Sequence, residues 1–248
     1  MIETEAPEVA EARRIRESWM LLGVTLVVVT VQLTVPDDLL FGPHWMFPVA
    51  ELVLAFVILV AEYADDQRAA NVRGFALGLG MVMAAANTIT AGLLVESLVT
   101  NPADTATQLL VTGVKVLLTN MLAYAVLYWL IDGGGPVRRA DGTGGERDFQ
   151  FPQDETDFRP PQGEAESGPP QHQAESGPPQ GRAPGRRPWL PHLGDYLYLA
   201  YTNAVAFSPT DAMPLSLRVK GLMAVQSVVA LSTIGVTLAR AINILPAT

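Results

Sequence analysis

Four polar side chains stand close together in "YTNAVAFSPTD" at 201–211: Asn203, Ser208, Thr210 and Asp211. An amide, two hydroxyls and a carboxylate are oxygen donors of the kind that lines an ion path or holds a hard cation. The same letters also spell a turn. Pro209 sets φ near −65°, Asp211 can accept from nearby backbone N–H groups, and Pro214 suits the first turn of a following helix. Both readings stay open on the sequence alone.

A second set consists of charges inside apolar runs: Glu51, Glu96 and Lys115. A charge within a bilayer is costly and normally finds a partner or a function. Glu51 stands six residues past Trp45 and Lys115 eight past Thr107. At 1.5 Å per residue these are depths of about 9 and about 12 Å from the same side. The match predicts a Glu51–Lys115 ion pair, or a network that includes Glu96, serving either as a clamp between helices or as an ion or proton path. Asn87 and Asn120 both count to mid-membrane and are expected to be helix–helix polar contacts, worth about 0.6 kcal/mol each.

Other chemistry finds no residues. The chain has no cysteine, and His44, His172 and His192 lie far apart, so no metal site is expected and no cofactor. No serine–histidine pair or nucleophile motif falls in the runs, and an enzyme is not expected. Gly74, Gly78 and Gly80 with Ala84–Ala86 read as a close-packing face, not as a phosphate loop. With a net charge of −9 and no basic patch, nucleic acid is not a partner.

The elements that must position these residues are membrane helices. Hydrophobic residues make up 49% of the 248, gathered into runs, and the mean hydropathy is +0.26. After a charged tail (1–18) come Trp19–Val35, Trp45–Tyr63, Phe75–Val99 and Thr107–Ile131, read as four transmembrane helices over 19–131. The first is taken as a retained anchor rather than a cleaved signal, because no small-x-small site follows it. Arginines cluster in the tail, at Arg68 and Arg73, and at Arg138 and Arg139. That alternation places the N-terminus, the second connection and the segment after the fourth span in the cytoplasm of a bacterial inner (plasma) membrane.

Over 132–194 the composition changes. Of residues 133–194, 23 are Gly or Pro, and "AESGPPQ" occurs at 165–171 and again at 174–180. Such a stretch has too little apolar surface to offset chain entropy and reads as a disordered linker. "DFQFPQ" (148–153) is the exception, two phenylalanines suited to docking on the membrane body. The last part, 195–248, holds a short apolar segment, Tyr196–Phe207, a polar turn, and a final span of roughly Gly221–Leu245. Twelve residues reach only about 18 Å as a helix, so the short segment is expected to be re-entrant.

"YLYLAYTNAVAFSPTDAMPLSLRVKGLMAVQSVVAL" resembles the pore helix, filter and inner helix of two-transmembrane potassium-channel modules. Laid on the familiar "YFSFVTLTTVGYGDIVP", Tyr198 falls on the leading Tyr, Asp211 on the filter Asp and Pro214 on the proline. Ser208 and Thr210 then fall on the filter glycines, whose backbone freedom the carbonyl ladder requires, and Pro209 stands between them. The resemblance therefore implies a pore loop that does not select potassium. It also implies an extracellular linker, against the arginine count, and the side of the linker stays open. The whole chain resembles an uncharacterised family of bacterial integral membrane proteins through "LYWLIDGGGP", "DFQFPQ" and "DYLYLAYTNAVAFSPTD". Two functions follow as expectations: an ion-channel-like or small-solute transport component, or a non-conducting membrane scaffold that binds a partner through hairpin and linker. Membrane lipid is the expected partner, and a pore shared between hairpins would need several copies of the chain.

Overall fold

A computed structural model describes residues 7–36, 43–62, 69–100, 106–140, 144–153, 189–206, 208 and 212–244. In chain order they form α1 (Pro7–Gln32), α2 (Met46–Glu62), α3 (Ala69–Thr100), α4 (Ala106–Ile131), a 3₁₀ turn (Asp132–Gly134), α5 (Pro136–Ala140), β1 (Phe149–Gln150), α6 (Leu193–Val205), β2 (Met213–Pro214) and α7 (Leu217–Ile244). Among the described residues three stretches are long and apolar enough to cross a membrane: Gly74–Thr100, Leu110–Gly134 and Leu217–Asn243. The apolar parts of α1 and α2, Ser18–Gln32 and Met46–Ile58, are shorter. Of the four leading spans expected, two meet the length by themselves, and the final span is the third. Phe56, Val114, Val228 and Ile242 are each more than half exposed on the outer faces, a surface that suits lipid better than water. The protein is helical and membrane-embedded.

Local rules explain the helix ends. α1 starts at Pro7, a residue preorganised for the first helical position, so the charged tail expected over 1–18 is helical from there on. It stops before Pro36, which disfavours helix at Val35. α2 carries Pro48 at its third position, where a missing N–H removes no intrahelical bond.

α4 is the hub, packed against α1, α3, α6 and α7. Its last two turns, Ala123–Leu130, are buried on every side. A helix apolar all round needs neighbours all round, and these eight residues have them. Gly80 of α3 lets Leu127 approach: a Cβ there would stand 3.3 Å from Leu127 Cδ1. Gly74 and Gly78 face open space, so the small-residue face expected of α3 is a contact at Gly80 alone among these three. A closer approach lies at Gly113, where a Cβ would come within 2.8 Å of Thr237 Cγ2 on α7.

The linker expected over 132–194 is corrected at both ends. Residues 132–140 and 144–153 fold back under the end of α4, and 189–192 lead into α6, whose first two residues are 193 and 194; residues 141–143 and 154–188 lie outside those described. β1 pairs antiparallel with β2, Phe149 opposite Pro214 and Gln150 opposite Met213, and Leu215 N–H donates to the Asp148 carbonyl at 2.7 Å. Phe149 and Phe151 are buried in the core with Tyr128, Tyr196 and Leu199. Two apolar rings outweighed the polar composition around them, as "DFQFPQ" implied.

Candidate functional site

The first site begins where α4 ends. Gly133, Gly134 and Gly135 have φ of 56°, 90° and 98°, three consecutive left-handed residues that side chains with a Cβ rarely adopt. The run turns the chain sharply at the membrane edge and leads into α5, with Pro136 at its first position. Asp132, fully buried, organises the turn. Its Oδ1 accepts from the backbone N–H of Asp148 (2.7 Å) and Phe149 (3.1 Å), and its Oδ2 accepts from the Tyr196 hydroxyl (2.5 Å). Arg139 lies beside it, donating from Nη1 to the carbonyls of Trp129 and Asp132 and standing 3.7 Å from Asp132 Oδ2. The Arg139 guanidinium also sits 5.4 Å above the Tyr196 ring. The buried charge is thus paired and bonded from three segments. Around it runs an aromatic chain, Tyr128–Phe149–Tyr196–Phe151–Trp189, with centroids 5.4–6.0 Å apart.

A second carboxylate, Asp148, joins this turn to α7. Arg218 clasps it with Nε to Oδ1 (2.8 Å) and Nη2 to Oδ2 (2.6 Å), and the Ser216 hydroxyl donates to Oδ1. Burial alone would raise the Asp148 carboxyl; the Arg218 and Ser216 hydrogen bonds outweigh it and hold the group below its ordinary value. Between the turn and the start of α7 opens a cavity of about 770 Å³, lined by Gly134, Arg138, Arg147, Asp148, Ser216 and Arg218 among others.

The hairpin polar cluster comes apart. Asn203 is buried, and its Nδ2 donates to Gln226 Oε1 (2.8 Å) and to the Met223 carbonyl (3.0 Å). Gln226 Oε1 also accepts from the Tyr128 hydroxyl (2.7 Å), and Gln226 Nε2 donates to the Ala200 carbonyl (2.9 Å). The Ser227 hydroxyl reaches the Asn203 side-chain and backbone oxygens. α6 is thereby tied to α4 and α7 through a closed polar network. Ser208 is an exposed bend residue, while Thr210 and Asp211 lie outside the described residues.

The membrane charges find other partners than those expected. Glu51 Oε1 accepts from Gln32 Nε2 (2.9 Å), and Lys115 Nζ donates to the Thr34 carbonyl (2.7 Å). Both partners belong to the end of α1 or the turn just after it, so the direct Glu51–Lys115 pair expected is replaced by two separate contacts to this segment. Glu96 is exposed on α3. Glu51 Oε2 and Gln32 Oε1 are buried without a hydrogen-bond partner. The polar contacts expected of Asn87 and Asn120 are not made, although each lies seven residues, two turns, along its helix from the Gly80–Leu127 approach. Both are buried, and all four amide atoms lack a hydrogen-bond partner.

Sequence reasoning missed Asp132, Asp148, Tyr196, Arg218 and Gln226. "DGGG" before Pro136 was the available signal for the turn, and an intramembrane Gln for the clamp. Among the described residues no cluster of histidine and acidic side chains could hold a metal. No family model, curated protein or solved structure matches the chain.

Proposed function

We propose that the protein is a non-conducting membrane scaffold whose binding face is the edge formed by the glycine turn, the arginine cavity and the start of α7. One observation carries this reading: the Tyr128–Gln226–Asn203 network turns the buried Asn203 amide of the hairpin onto α4 and α7. In this reading α1–α4 and α7 cross the bilayer and α6, about 20 Å long, is a half-span packed on protein. The arginine-rich edge faces the cytoplasm of the bacterial inner membrane, with the N-terminus on the same side. The resemblance to a pore loop is then one of placement, a short helix and turn before an inner helix, without the filter.

A second reading, a component of ion or small-solute transport, rests on other residues. Asn87 with Asn120, and Glu51 with Gln32, leave polar atoms unpartnered in the membrane interior. Such atoms carry a desolvation penalty of about 1–3 kcal/mol apiece, which a passing solute or ion would relieve.

Flux separates the two. Liposomes holding the purified protein are expected to show the cation and small-solute permeability of empty liposomes. A flux abolished by Asn87→Leu or Glu51→Leu establishes the transport reading instead. The cysteine-free chain also allows Pro170→Cys to be labelled, and a membrane-impermeant maleimide should reach it only after cells are opened.

A further inference from the structure

We infer that the cavity at the α4–α7 edge holds the phosphate-bearing headgroup of an anionic membrane lipid. The inference deepens the binding-face reading above by naming the ligand. Three arginines, Arg138, Arg147 and Arg218, line the cavity against two carboxylates, Glu146 and Asp148, which leaves one positive charge in excess. Asp148 holds the Arg218 fork and the Ser216 hydroxyl, so Arg218 is oriented by a partner inside the protein. Arg138 and Arg147 line the same cavity on the side of the glycine turn. Gly134, held at a φ of 90°, lies against the first: a Cβ there would stand at ordinary contact distance, 3.4 Å, from Arg138 Cδ. Beneath the same turn, Arg139 is buried and keeps an Nη2 donor with no hydrogen-bond partner. About 770 Å³ is in the range of small-molecule sites and ample for a phosphodiester and its substituent.

Placement identifies the source of the phosphate. Gly134 is the last residue of one membrane-crossing stretch and Leu217 the first of another, so the cavity opens at the bilayer boundary. Beside its basic lining stand Met213, Leu215 and Leu217, exposed by 67%, 48% and 85%. A basic cavity with an apolar lip at the membrane edge matches a lipid, whose headgroup is charged and whose chains are not. Free phosphate would use the arginines and leave the lip without a partner.

The test uses the full chain in detergent and three probes: dioleoylphosphatidylglycerol, dioleoylphosphatidylcholine and inorganic phosphate, read by native mass spectrometry and thermal stability. Phosphatidylglycerol is expected to be retained and to raise the Tm, phosphatidylcholine and phosphate to do neither. Arg138→Gln with Arg147→Gln should weaken phosphatidylglycerol retention about thirtyfold. Lys220→Gln, one exposed charge at the same edge but off the cavity, should weaken it no more than about fivefold. Each arginine variant alone gives the same direction if the double variant does not fold. Equal retention of the two lipids, equal stabilisation by phosphate, or a double variant no weaker than Lys220→Gln overturns the inference. Flux through liposomes would instead sink the non-conducting reading and leave lipid retention untouched.

Discussion

The hydroxyl of Tyr196 donates to Asp132 Oδ2 at 2.5 Å, joining the end of α4 to the second turn-face of α6 across 64 positions of sequence. Removing the hydroxyl in Tyr196→Phe leaves one carboxylate oxygen in an aromatic surround with Arg139 as its remaining neighbour. The loss should be about 1.5–3 kcal/mol, the range for a hydrogen bond to a charged group. Thermal unfolding in detergent measures it. An unchanged Tm would show that the turn is held by other contacts.

The clasp on Asp148 makes the cavity edge sensitive to acid. Its carboxyl is held below the ordinary value, so the clasp's contribution is present above the unfolded pKa and disappears as pH falls through the lower folded one. Asp148→Asn should therefore be destabilised against the parent at neutral pH, by about 1–3 kcal/mol given that Arg218 is largely exposed. The gap should close as pH drops below about 4. A gap independent of pH would mean that the carboxylate's charge contributes nothing.

Two glycines should respond in opposite ways. Gly113→Ala places a methyl 2.8 Å from Thr237 on the facing helix, and overpacking of this kind costs about 1–3 kcal/mol. Gly78→Ala meets open space and should gain a few tenths to about 1 kcal/mol from helix propensity. The pair is read by Tm. A destabilising Gly78→Ala would point to a second chain packed on that face of α3.

Much of this was legible in the sequence, and the rest failed for physical reasons. The long apolar runs marked α3, α4 and α7, because a span needs only length and hydropathy. "DFQFPQ" could be picked from its surroundings, because two rings in a polar stretch must find cover. Depth counting paired Glu51 with Lys115, but depth says nothing of rotation about a helix, and each bonds instead to the end of α1 or the turn after it. The polar stretch 201–211 stands out by its composition, yet of its described candidates Asn203 is buried and bonded inward while Ser208 is exposed. In sequence an Asp before three glycines has the look of an exposed turn, whereas Asp132 is fully buried. Its burial depends on Phe149 and Tyr196 closing over it from distant sequence.

The revised partners of Glu51 and Lys115 carry their own consequence. Glu51→Gln and Lys115→Met should act independently, with a coupling energy within about 0.5 kcal/mol of zero, since neither touches the other. A double-mutant cycle in Tm or denaturant unfolding gives the number. Coupling above about 1 kcal/mol would restore the direct ion pair.

The claim on which the functional reading rests is that Asn203 belongs to a clamp and not to a pore wall. A double-mutant cycle on Asn203→Ala and Gln226→Ala, measured by unfolding of the purified protein, tests it most directly. Two buried amides joined at 2.8 Å should couple by about 0.5–3 kcal/mol, with each single variant destabilised. Side chains that face a water-filled path would show near-zero coupling and near-native stability in both single variants, and that result would contradict the account.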